Sequence, residues 1–358
     1  MSVEGFLDRF DASTGHESVL GRSGWLGVVA AGLALAVFPA IAGATEPFWM
    51  DLVSRIMVFA LFALSLDFVF GYTGLPSFGH AAMFGLGGYA AGLVLLELTQ
   101  NALVALPAAF VVGALIAAVM AWLSVRARGI YFAILTLAFA QLFYIAVFDD
   151  MPAYFVDATS VLGGDNGLIG IPFYTLFGTE LSALSDYYYL TFGVLALSFA
   201  LIVRLANSPF GRVLKGIHEN EDRMAFIGYN VKRYKIIAFA ISGGFTGVAG
   251  ALFVPIISVA HPGLLGWETS GEVLIMILLG GMGTLWGPML AAGLVLLLED
   301  MLSSFASWQL VIASVYVLVV IFAPKGIAGV LRSLKEDPAG TPRRIHDGVV
   351  TYLEKIRG

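Results

Sequence analysis

Apolar runs close to 20 residues long recur along almost the whole chain, at residues 25–44, 50–70, 78–97, 102–123, 129–148, 187–206, 236–257, 271–281, 287–303 and 305–323. A helix rises 1.5 Å per residue, so runs of this length match a hydrocarbon core about 30 Å thick. Composition agrees, since 59% of the 358 residues are apolar and 12% are charged, which no ordinary soluble domain matches. Backbone polar groups in lipid must be satisfied within the segment, and only helices do this without a closed barrel. The expected fold class is therefore all-α, a polytopic integral membrane protein with about ten transmembrane helices, some of them broken. The eighth run is short, ends in Gly280-Gly-Met-Gly-Thr284 and precedes Pro288. It is either a full crossing or half of a broken helix.

The placement of charge sets the orientation. Lys and Arg gather at Arg9 and Arg22, at Arg126 and Arg128, from Arg204 to Lys235 and from Lys325 to Arg357, with only Arg55 outside these groups. Residues 129–203 and 236–324 hold no Lys or Arg, while 149–186 carries Asp149, Asp150, Asp157, Asp165, Glu180 and Asp186. The positive-inside rule places the basic groups in the cytoplasm and the acidic loop outside. Both termini are then cytoplasmic, as an even number of crossings requires. The expected divisions are an amphipathic segment 1–24, a membrane domain 25–324 and a tail 325–358. Within the membrane domain, 149–186 is extracytoplasmic and 207–235 is a cytoplasmic loop. Val3, Phe6, Leu7 and Phe10 near the start, and Ile345, Val349, Val350, Leu353 and Ile356 in the tail, fall at helical spacing, so each end is expected to lay an amphipathic helix on the lipid surface. Met1 to Trp25 is too polar for a cleaved signal peptide and is expected to be retained. The chain has no cysteine, which excludes disulfides and thiolate metal sites.

From Gly71 to Gly88 seven glycines or prolines interrupt what would otherwise be a continuous span. Backbone that leaves the helix at membrane depth must be buried in protein or line a watery cavity. Transporters use such breaks to hold substrate, although close helix packing on small residues gives the same composition. Asp67 and His80 flank the segment. A carboxylate in a span is costly and should face protein or water; either residue touches substrate, or Asp67 reaches the interface and His80 bonds a carbonyl or caps a helix. Glu272, near the outer end of its run, is open to the same two readings. Asp51 and Arg55 form an i, i+4 pair suited to the lipid interface.

The stretch Ser208 to Lys235 mixes charge with regularly spaced apolar residues. Glu219 to Ile227 is expected to form a short helix ended by Gly228 as a left-handed cap, which would offer a docking surface on the cytoplasmic face. The alternative is a basic loop held by anionic lipid.

This loop resembles the coupling loop of ATP-binding-cassette importer permeases, where a Glu-Ala-Ala triplet is followed three residues later by Gly. Aligned on Gly228, the triplet positions hold Asp222, Arg223 and Met224, so the acidic position and the glycine match and the alanines do not. The wider resemblance, over about residues 50–330, is to the LivM-like permeases of branched-chain amino acid importers. Gly71-Tyr-Thr-Gly-Leu-Pro-Ser-Phe-Gly-His80 is similar to that family's Gly-x-x-Gly-x-x-Ser-x-Gly-His segment, with Pro76 where an aliphatic residue is usual. Arg128-Gly-Ile-Tyr-Phe-Ala133, Gly163-Gly-Asp-Asn-Gly-Leu168, Ser208-Pro-Phe-Gly-Arg212 and Gly280-Gly-Met-Gly-Thr-Leu-Trp-Gly-Pro288 resemble further landmarks in the same order.

The resemblance implies an inner-membrane permease subunit of a prokaryotic importer that moves amino acids inward by alternating access. It also implies a second, LivH-like permease, two cytoplasmic ATPase subunits that bind ATP and Mg, and an extracytoplasmic binding protein. The chain itself is expected to be no enzyme and to hold no cofactor or metal, with lipid as its other partner and nucleic acid as none. No Gly-x-x-x-x-Gly-Lys-Ser/Thr phosphate loop occurs in it, so ATP must act through other subunits. Substrate-pathway candidates are Asp67, Tyr72, Ser77, Gly79, His80 and Glu272. Coupling candidates are Gly211, Arg212, Glu219, Asp222, Ala225 and Gly228. The acidic outer loop either receives the binding protein or is acidic because positive residues translocate poorly. Other readings are a urea or short-amide permease of the same type, and a solitary ion-coupled carrier using Asp67, His80 and Glu272. An enzyme reading takes Asp149, Asp150 and Asp157, which loosely resemble the magnesium-binding carboxylates of intramembrane prenyl transferases. The loop lacks a nearby cation for diphosphate and a second aspartate-rich motif, which argues against it.

Overall fold

The computed structural model describes residues 22–42, 47–156 and 160–303, with residues 310, 313, 314, 326 and 327. The two expected amphipathic end helices, and the run 305–323 apart from isolated positions, lie outside the described residues. Every other apolar run coincides with a helix. In chain order these begin with α1 (Arg22–Ala42), α2 (Pro47–Thr73), α3 (His80–Leu93, prolonged by a π-helical turn, Val94–Leu98), α4 (Ala102–Ser124) and α5 (Ile130–Phe148). A connection carrying the short α6 (Met151–Val156) leads to α7 (Leu184–Asn207), α8 (Pro209–Glu219), α9 (Glu221–Phe226), α10 (Val231–Ile257), α11 (Trp267–Gly280) and α12 (Trp286–Leu302). Among the described residues, six helices are long and apolar enough to cross a membrane: α2, α3 with its π turn, α4, α5, α7 and α10. The chain is an all-α, multi-pass membrane protein.

Local signals set the helix ends. Asn101 accepts from the Leu103 amide at 2.9 Å and starts α4; Ser208 with Pro209 at the first helical position starts α8, the pattern that satisfies orphan amides and suits proline. The expected helix Glu219–Ile227 is in fact divided. Glu219 ends α8, and the Asn220 side chain accepts from the Arg223 amide at 2.8 Å to begin α9. Asn230 then caps α10 through Arg233, so the stretch up to Lys235, expected as loop, is already helix.

α10 runs through the middle of the bundle, packed on α2, α3 and α4. The approach to α3 is so close that a Cβ on Gly87 would overlap Gly247, which is how membrane helices gain contact without a hydrophobic driving force. α2 is buried along nearly its whole length. α5 is the opposite: Ile130, Tyr131, Ile134, Leu142 and Ile145 are exposed along it.

Connections gather at two ends of the bundle. One end, which we call the acidic end, carries α6 and two short antiparallel ladders, β1 (Leu168–Ile169) with β4 (Val259–Ala260) and β2 (Thr175–Leu176) with β3 (Thr179–Glu180). Asp150 organises it: its carboxylate accepts from Ser160 Oγ at 2.6 Å and from the amides of Val161 and Leu162, each at 2.9 Å. Burial works to raise the pKa of this carboxyl, but those hydrogen bonds outweigh it and hold the group below the usual Asp range. Asp150 is therefore occupied by its own loop. Pro255 near the end of α10 has no N–H for the carbonyl of Ala251, and the Tyr174 hydroxyl donates to that carbonyl at 2.8 Å instead. The Tyr187 hydroxyl donates to the next carbonyl, that of Leu252.

Candidate functional site

The glycine-rich segment is broken as its composition requires: α2 ends at Thr73, residues 74–79 are irregular, and α3 starts at His80. Asp67, about two turns before the break, is fully buried. Its Oδ1 accepts from the Gly283 amide at 2.7 Å and its Oδ2 from the Leu285 amide at 2.9 Å. The carboxylate thus caps the turn between α11 and α12. That turn needs capping, because Leu285 sits at φ 63°, a left-handed value that bulky residues avoid and that costs of order 1 kcal/mol. Gly71 lies against Gly283, with no room for a Cβ between them.

His80 lies across the break, also fully buried. Its Nε2 is 2.9 Å from Ser242 Oγ of α10, and the Ser242 hydroxyl donates to the Ser65 carbonyl at 2.5 Å. Ser242 has spent its proton on that carbonyl, so Nε2 must carry the hydrogen and Nδ1, 2.9 Å from Ser77 Oγ, accepts from it. Ser77 also accepts from the Gly79 amide at 3.1 Å. A neutral His80 is thus fully satisfied, and it stitches α3 to α10 and α2. Tyr72 is buried with the Lys215 ammonium 5.0 Å from its ring centroid. The substrate candidates therefore form two interlocked groups, Asp67 with the 281–285 turn and Ser77, Gly79 and His80 with Ser242. Glu272 stands apart on α11 and is partly exposed, within electrostatic range of Glu299 of α12. Nearby, Ser270 Oγ accepts from the Ala81 amide at 2.7 Å, a buried contact that sequence reading did not anticipate.

At the other end of the bundle, which holds Arg128, Arg204, Lys215 and Lys235 and which we call the basic end, α8 and α9 form a small platform. Gly228 has φ 97°, its amide bonds to the Ala225 carbonyl at 3.0 Å and the Tyr229 amide to the Met224 carbonyl at 3.1 Å. This is the paired closure of a Schellman cap, as the glycine predicted. α9 leaves Phe226 90% and Ile227 64% exposed. Gly211 packs against the Ala206 backbone, where a Cβ would overlap it, and Arg212, Glu219, Asp222 and Ala225 are exposed. Four residues outside the candidate set tie the platform down. Arg128 meets Asp222 at 3.1 Å and Glu221 at 3.5 Å, Lys235 Nζ meets Glu221 at 2.7 Å, and His218 Nδ1 donates to the Gly71 carbonyl at 2.9 Å. A groove of about 340 Å³ runs between these groups, lined in part by Thr73, Gly74, His218 and Lys235.

The model of the family described as branched-chain amino acid transport system, permease component, matches residues 48–324. The chain belongs to this family. The matched span contains the break, the capped turn, the platform and every candidate residue. Among curated relatives of this branched-chain permease, the LivM permease proteins of Salmonella typhimurium and Escherichia coli are 29% and 28% identical over 79% of this chain and 70% of theirs. The LivH permease protein of Salmonella typhimurium is 20% identical over 76% of this chain and 91% of its own length. No solved structure matches the chain. The protein is a permease component of an ATP-binding-cassette importer.

Proposed function

We propose that the chain carries branched-chain amino acids into a prokaryotic cell as one of two permease subunits, with the basic end in the cytoplasm and the plasma membrane as its location. A LivH-like partner, two ATPase subunits holding ATP and Mg, and an extracytoplasmic binding protein complete the assembly. The observation that carries the reading is α9: a short helix, firmly capped at both ends, with Phe226 and Ile227 in solvent on the basic face. A soluble ATPase subunit would cover such side chains, whereas a carrier working alone has no use for them. Ten crossings with both termini inside fit the arrangement, because Gly326 lies against Gly281, returning the chain to the depth of the 281–285 turn after α12.

In this reading ATPase closure shifts the platform, and the bond from His218 to Gly71 passes the shift to the turn beside Asp67. Asp67, Ser77, Gly79 and His80 frame the pathway rather than contact substrate, since their polar atoms are taken up by protein. Tyr72 is part of the same wall, and Glu272, partly exposed, remains the candidate for direct contact. The ion-coupled alternative would draw on Asp67, His80 and Glu272; Asp67 and His80 are buried and bonded, which leaves Glu272 as the one of the three open to an ion. The test is gentle purification of the tagged chain from its own membrane, followed by leucine uptake in proteoliposomes. Co-purifying ATPase subunits and a second permease, with uptake that requires ATP, are expected. A solitary chain driving uptake from an ion gradient would overturn the reading.

A further inference from the structure

Among the described residues Lys235 is the buried cation on the permease's basic face, only 3% exposed, and its ammonium lies 2.7 Å from Glu221 of α9. Elsewhere in the first turns of α10 the charges behave as expected of a helix end: Lys232 and Arg233 are exposed. A buried ammonium held by one carboxylate is a demanding contact, because either group left alone is penalised far more than an exposed pair is rewarded. The two helices joined by it are unequal. α9 is a six-residue platform with an exposed apolar tip. α10 is the central helix, and seven residues beyond Lys235, two turns on, Ser242 enters the hydrogen bonds of His80 and Ser65 at the broken segment.

We infer that the Lys235–Glu221 pair is the positioning contact that makes α9 and α10 move together, so that displacement of the platform reaches the His80 network through α10. The inference rests on the coupling role proposed for α9. It also separates two attachments at the platform. The Arg128 side chain, 62% exposed, holds Asp222, itself 68% exposed, and such a surface contact adjusts the resting position of α9. Lys235 transmits its movement. Glu221, bonded to both cations, is shared between them.

The experiment uses the whole importer in proteoliposomes, with leucine uptake and ATP hydrolysis measured on the same preparation and co-purification of the ATPase subunits checked for each variant. Lys235→Met keeps the length of the side chain and removes its charge. It is expected to leave the subunits together and ATP hydrolysis running, while leucine moved per ATP falls about tenfold, within the usual range of site-to-site coupling. Glu221→Gln keeps a hydrogen-bond acceptor at a part-exposed position and should lower the same ratio less. Exchanging the charges, Lys235→Glu with Glu221→Lys, should restore most of it. If Lys235→Met does not assemble, the Glu221→Gln and exchanged proteins decide. Full coupling in either single variant overturns the inference, and so does an exchanged protein that assembles yet stays uncoupled. A loss in Glu221→Gln without one in Lys235→Met would mean that Glu221 touches the ATPase directly, which also overturns it. ATPase subunits missing from the unmodified preparation would defeat the proposed function instead, a result distinct from all of these.

Discussion

The two ends of the bundle are fastened by different chemistry. At the acidic end most contacts end on backbone: Asp150 gathers the amides of its own loop, Tyr174 and Tyr187 complete carbonyls of α10, and β1 pairs with β4. At the basic end the platform is held mainly by pairs of charged side chains, Arg128 with Asp222 and Lys235 with Glu221. Contacts to backbone hold one partner in place, since an amide or carbonyl is fixed by the chain on both sides of it. An exposed ion pair such as Arg128 with Asp222 tolerates displacement, because charge attraction varies slowly with angle, while the buried Lys235–Glu221 pair lets α9 shift only together with α10. One end is built as a rigid lid and the other as a movable joint.

The largest effect should come from the rigid end. Asp150→Ala leaves three donors without their acceptor and should destabilise the purified protein by about 3 kcal/mol, read as a shift in thermal unfolding that salt does not change. Acid should act at the same place. A carboxyl held below its ordinary value contributes fully above the unfolded pKa of about 3.9 and loses its contribution as pH falls through the folded one. Protease cleavage within 160–183 should therefore begin only in strong acid, and cleavage there at pH 6 would break the comparison. Next in size is Gly228→Val, which forces a β-branched residue to φ 97°. The strain of about 2 kcal/mol should stay within α9, lowering ATP-coupled uptake while leaving the unfolding of the bundle in place. Tyr174→Phe, which deprives the Ala251 carbonyl of its donor, should cost about 1 kcal/mol, again independent of salt. Arg128→Gln should cost least, with a shift in thermal unfolding smaller than that of Tyr174→Phe at low ionic strength and nothing measurable in high salt. A larger loss there than for Tyr174→Phe would reverse the assignment of rigid and movable ends.

Much of this architecture was written in the chain in a legible way. The helices follow from apolar runs, because lipid leaves the backbone no other solution, and the break at residues 74–79 follows from its glycines and Pro76. Gly228 announced its own cap. The roles of buried polar groups were harder to see. Asp67 reads from sequence as a carboxylate in a span, hence as a functional group, while the amides that claim it lie 216 and 218 residues further along. His80 likewise needs Ser242, 162 residues away, before its tautomer can be assigned. Lys235 looked like one of several basic residues in a loop, because its burial depends on how α9 folds back over α10. One signal is local: Asn220 followed by Glu221 and Asp222 is a helix start, which divides α8 from α9 and removes Glu219 from the exposed helix.

The capped turn between α11 and α12 has a consequence for how the protein is made. At 14 and 17 residues these helices are about 21 and 26 Å long, each short of a full hydrocarbon thickness, and the turn joining them is strained at Leu285. The carboxylate that stabilises their junction is synthesised more than 200 residues earlier, on a helix already in place when they leave the ribosome. The junction of the late hairpin can therefore be capped only after it meets an aspartate made long before it, so the last helices depend on the first for their stability.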